Sequence, residues 1–167
     1  MVDPTICAGA QERALVADLV AAVLQDAAPE EVEVFRQDRD GFLDGRSPHQ
    51  EHRDEELGFG VEVVALLTPF VVAAAQAAVR LIADAFATSL QEEAQSTFSH
   101  WLRRILHRGS GDATGVRDDN PASLTPELVK RVRSAAYEVC CRMGADQGDA
   151  DLVADAVAGR FVVGGTG

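Results

Sequence analysis

The residues from Leu57 to Leu90, LGFGVEVVALLTPFVVAAAQAAVRLIADAFATSL, form the one long apolar run in the chain, and any fold must find a cover for it. Between Glu62 and Arg80 lie 17 residues without a formal charge, near the lower end of the roughly 17 to 25 that span a hydrocarbon layer. Two environments satisfy such a segment: a bilayer, or the centre of a bundle of amphipathic helices.

Its internal details lean toward the bundle. Pro69 is expected to kink the helix or to divide it in two, and Gly58 and Gly60 loosen its start. Beyond Pro69 the sequence FVVAAAQAAVRLIADAFA pairs Ala73 with Ala77, or Ala74 with Ala78, a small-xxx-small spacing that lets another helix approach closely. Gln76 interrupts the run, Trp and Tyr belts are missing from its ends, and the flanking Lys and Arg show no asymmetry that would orient it in a membrane. Residues Val63, Val64, Leu66, Leu67, Phe70, Val71, Val72, Ala73, Ala77 and Val79 are expected to carry its packing or membrane contact.

The remaining chain supplies helices to cover it. From Ala10 to Gln25, Leu15, Val16, Leu19, Val20, Val23 and Leu24 recur at three- and four-residue spacing, which predicts an amphipathic helix. Pro29, Glu30 and Glu31 read as a second helix start, although the EVEVF that follows alternates and fits an extended piece as well. From Leu90 to Arg108 an apolar stripe that includes Phe98, Trp101, Leu102 and Ile105 ends in a basic tip before Gly109. This is a core helix with a charged end or, on the sharper reading, a surface helix whose four large residues touch a membrane. Residues 109–123 are rich in Gly, Asp, Ser and Asn and read as a linker. Thr125 then caps a helix with Pro126 in its first turn and a stripe of Leu128, Val132, Ala135, Val139 and Met143, stopped by Gly144. A shorter helix begins at Asp149 or a neighbour, turns Leu152, Val153, Ala156 and Val157 inward, and stops at Gly159, leaving FVVGGTG as a frayed tail or a short extended edge.

These elements predict an all-α fold: a helical bundle around a long, Pro-interrupted apolar central helix, with a C-terminal helical hairpin. Residues 1–108 form the body, including the apolar helix 57–90, and residues 124–167 form the hairpin beyond the linker. A hairpin of that size is too small to stand alone and is expected to dock on the body or on a partner.

Charge and motif content narrow the function. The formal charge is −12, and residues 1–62 hold 15 acids against 5 bases. A surface of that sign repels phosphate backbones, so a nucleic-acid partner is not expected. Phosphate-loop, dinucleotide-binding, nucleophile-elbow and zinc-protease motifs are absent from the sequence. Two weaker constellations fail on spacing. Placing Gly41 at the sixth position of a calcium loop puts Asp38 and Asp40 correctly but leaves Arg36 first and Ser47 twelfth, where carboxylates are needed, so a solvated turn is expected there. His49, Glu51 and His52 lack the i, i+4 spacing that would place two imidazoles on one helical face. Cys7, Cys140 and Cys141 have no metal-ligand spacing, and a neighbouring pair strains disulfide geometry, which favours reduced thiols in the cytoplasm. Residue 1 is not followed by the basic, apolar and small-residue regions of a secretory signal. No cofactor, metal, small-molecule ligand or catalytic residue is expected.

The succession APEEVEVF, then DEELGFG entering an apolar helix with LLTPFVV, then LTPELVKRVR leading to LVADAV, resembles a type of small actinobacterial helical protein with a central apolar helix. The resemblance implies no activity, and no catalytic or binding residue carries over from it. The functional expectation is therefore a non-enzymatic interaction or assembly protein, an adaptor or regulatory module, that uses the apolar helix for packing or oligomerisation with itself or a protein partner. The alternative is a membrane-associated protein in which residues 57–82 insert as a single helix.

Overall fold

The computed structural model describes residues 4–45, 67–87 and 124–162, and over these the chain is all-α. Helix α1 spans Pro4–Ala27. A 3-10 turn at Pro29–Glu31 leads into α2, Val32–Gln37, and α3, Arg39–Leu43, follows at once. Helix α4 is Thr68–Ala87, α5 is Pro126–Met143 and α6 is Gln147–Gly159. The EVEVF segment is thus helical, and its two readings resolve in favour of the helix start at Pro29.

Helix α4 is the centre of the bundle, in contact with α1, α5, α6 and α3. Val71, Ala74, Ala75, Ala78, Val79 and Ile82 are buried along it. Three of these six are alanines, so neighbouring helices can approach the α4 backbone closely, and Val71, Val79 and Ile82 fill the space between them. Pro69 stands in the first turn of α4, where its missing N–H is no loss and its fixed φ suits the helix. Residues 57–66 and 88–90 of the apolar run lie outside the described residues, as do the stripe with Phe98, Trp101, Leu102 and Ile105, the 109–123 linker, and all four histidines.

Helix α1 buries Leu15, Val16, Leu19, Val20, Val23 and Leu24, the stripe its sequence spacing predicts. Helices α5 and α6 form the C-terminal hairpin, which packs on α4 and, through α6, on α1. The hairpin is therefore docked on the body, and its buried residues join one continuous core with those of α1, α2, α3 and α4.

Three local expectations are corrected. The stripe of α5 is rotated from the predicted one: Val132, Ala136 and Cys140 are buried, Ala135 and Val139 are half-buried, and Met143 is 48% exposed. In α6, Leu152 faces outward while Ala150, Val153, Ala154 and Val157 face the core. The segment around Asp40 and Gly41 is a one-turn helix, not a solvated turn. Asp38 caps it by accepting the Gly41 N–H at 3.2 Å, and Gly41, Phe42 and Leu43 are buried. Phe42 meets Phe35 with ring centroids 6.1 Å apart, a tilted aromatic pair within the core. Phe161, the first residue of the segment expected as a frayed tail or a short extended edge, is buried, and residues 163–167 lie outside the described residues.

Candidate functional site

The helix ends divide into two kinds. Helices α5 and α6 complete their own termini. Thr125 accepts the Leu128 N–H at 3.3 Å, Asp146 accepts the Asp149 N–H at 2.9 Å, and Gly144, at φ 93°, closes α5 with its N–H on Cys141 O and the Ala145 N–H on Cys140 O. The start of α4 is capped, and the last turns of α1 are braced, from elsewhere in the fold. The last turn of α1 has no basic residue; Arg160, just past α6, donates to Ala22 O and pairs with Asp26 at 2.5 Å. Its Nε is buried without a hydrogen-bond partner. A cation at that end complements the negative end of the α1 dipole.

The first turn of α4 likewise has no acid, and Glu31 supplies one. Its carboxylate accepts the Leu67 N–H at 3.0 Å, the Thr68 N–H at 2.8 Å and the Thr68 hydroxyl at 2.7 Å. Glu31 and Thr68 are both buried. The segments Leu67-Thr68-Pro69 and Leu124-Thr125-Pro126 have the same three residues, yet Thr125 is exposed and caps its own helix whereas Thr68 turns its hydroxyl to Glu31. Pro69 has no N–H to satisfy, and the Val71 N–H already bonds Leu67 O at 2.9 Å. One buried carboxylate thus fixes where α4 starts and holds that start against the 3-10 turn at Pro29–Glu31.

The opposite side of α4 is less completely covered. Phe70, Ala73, Gln76, Ala77 and Leu81 are half-buried, and the Gln76 amide donates to Leu43 O at 3.3 Å. A shallow groove of about 390 Å³ runs between α3 and α4, with Phe42, Leu43, Pro69, Val72 and Gln76 in its walls and Met143 at its rim. A second, of about 410 Å³, lies between α4 and α5, where Ala77, Leu81 and Ala85 are flanked by Arg80 and Arg131. Arg80 borders both grooves and has Glu12 at 3.7 Å.

The expected contact residues therefore fall on two faces. Val71, Val72 and Val79 point into the core, and the buried alanine pair is Ala74 with Ala78. Leu67, Phe70, Ala73 and Ala77 are half-buried, while Val63, Val64 and Leu66 lie outside the described residues. The sequence reading missed Glu31 as a cap and Phe42 and Leu43 as groove walls. Two apolar residues directly after Asp40 and Gly41 were the available signal for the latter.

Several titratable groups among the described residues are engaged in structure. Arg13 bonds Asp44 at 2.6 Å and Asp40 at 3.4 Å, and the hydrogen bond to Asp44 raises its pKa. Among the described residues no cluster of three His, Cys, Asp or Glu side chains is placed to hold a metal ion. Cys140 and Cys141 are free thiols, the first buried and the second exposed. Burial pushes the Cys140 thiol up to about 11, and its Sγ lies 3.8 Å from Phe70 O as a weak donor. A thiol so held is a poor nucleophile at neutral pH. Tyr137 is also raised, foremost by its hydrogen bond with Cys141.

No protein-family model matches the chain, and no curated protein and no solved structure shows significant similarity to it.

Proposed function

We propose that this protein is a non-catalytic helical interaction module, an adaptor or regulatory piece. On this reading α4 serves as the core helix, and its outward face packs against a protein partner or a second copy. The observation that carries it is the division of α4 into two faces: one apolar and closed over by α1, α5 and α6, and one on which Phe70, Ala73, Ala77 and Leu81 are left half-covered beside two shallow grooves, among Gln76 and the exposed Arg80 and Asp84. Small residues on such a face permit a close helix–helix approach. On this reading the buried thiol of Cys140 and the carboxylates of Asp38, Asp40 and Asp44 serve packing, capping and ion pairing, and the protein works in the cytoplasm.

Light scattering on the purified chain in detergent-free buffer tests this reading, with and without Ala77→Glu. A soluble species that self-associates, and that the substitution converts to a folded monomer, supports the second-copy form; a monomer at every concentration leaves the partner form. A chain that stays insoluble until detergent is added overturns both.

One observation favours a second reading. Thr68–Phe86 is 19 residues long with mean hydropathy 1.4, enough by length and composition to cross a membrane, and 39% of that stretch is buried inside the bundle. On this reading the protein is membrane-associated and α4 inserts. Recovery with sedimented lipid vesicles, rather than in the supernatant, is its signature.

A further inference from the structure

We draw no further inference here: the strongest candidate, the shallow groove between α4 and α5 where Ala77, Leu81 and Ala85 lie between Arg80 and Arg131, belongs to the surface already described, and nothing among the described residues shows what covers it.

Discussion

The carboxylate of Glu31 accepts both the N–H and the hydroxyl of Thr68, at 2.8 and 2.7 Å, across 37 positions of sequence. The same group takes the Leu67 N–H, so the start of the most apolar helix among the described residues is fixed by a charge that belongs to another element. Thr68 and Pro69 mark that start in the sequence as Thr125 and Pro126 mark the start of α5, but the Thr68 hydroxyl is turned to Glu31 and does not cap its own helix. Glu31 supplies the missing cap from outside.

Replacement of Glu31 should therefore cost more than an ordinary cap. Glu31→Ala leaves three donors without an acceptor in a buried site, and each unsatisfied group costs about 1 to 3 kcal/mol. After partial relaxation we expect a loss of about 3 kcal/mol in urea denaturation. Glu31→Gln keeps an acceptor oxygen but loses the charge at the α4 N-terminus, and should fall about halfway between. Equal, negligible effects of the two substitutions would show that the contact contributes nothing.

This long-range dependence also explains how much of the fold was legible. The helix α5 could be read from Thr125, Pro126 and Gly144 because its caps are neighbours in sequence; the same holds, within three residues, for the start of α6 at Asp146. The capping of α4 by Glu31 and the bracing of α1 by Arg160 connect distant residues and leave no periodic trace. The α5 register was misread for a different reason. Val129, Val132, Ala135, Ala136, Val139 and Cys140 give two adjacent apolar rows, and packing against α4 and α6 selects the row through Ala136 and Cys140. The candidate site did leave a trace: Gln76, Arg80 and Asp84 recur at helical spacing with Ala73 and Ala77, and so mark the outward face opposite the buried Val71 and Val79.

A pair of neighbouring alanines tests that face assignment. Ala78 is fully buried, so Ala78→Leu forces extra methylenes into a close-packed contact, at a typical cost of about 1 to 3 kcal/mol. Ala77 is half-buried beside a groove, and Ala77→Leu should change stability by less than about 0.5 kcal/mol. Thermal melts of the two variants check the order. A reversed order would place the wrong face of α4 in the core.

Gly41 offers a test of the short α3. A Cβ at this position would collide with the Asp38 carboxylate that caps the turn. Gly41→Ala should displace that cap and loosen Phe42 and Leu43, with a loss of about 1 to 3 kcal/mol. In Asp38→Ala the cap is already gone, so adding Gly41→Ala should cost much less than it does alone. Strict additivity in this double-mutant cycle would argue against the described geometry.

The two adjacent cysteines should behave as different chemical groups. Cys141 is exposed and should react with a thiol reagent at pH 8 within minutes, whereas Cys140 should react only when the bundle opens. The pH dependence has a definite sign. Below about pH 8 the Cys140 thiol is neutral in both states; as pH rises from there toward about 11 it ionises in the unfolded chain ahead of the core. Stability should therefore fall with rising pH across that window, by up to about 2 kcal/mol more in the parent protein than in Cys140→Ala. Parallel alkaline limbs for the two proteins would contradict the burial of this thiol.

The central claim is that α4 is the core helix of a bundle, and amide hydrogen exchange in detergent-free buffer tests it most directly. The account predicts that the amides from Val71 to Ile82 exchange as slowly as those of the buried stretch of α1 from Leu15 to Leu24, through global unfolding alone. Rapid exchange of Val71 to Ile82 in buffer, with protection gained only on adding lipid or detergent, would contradict it and make α4 a membrane helix.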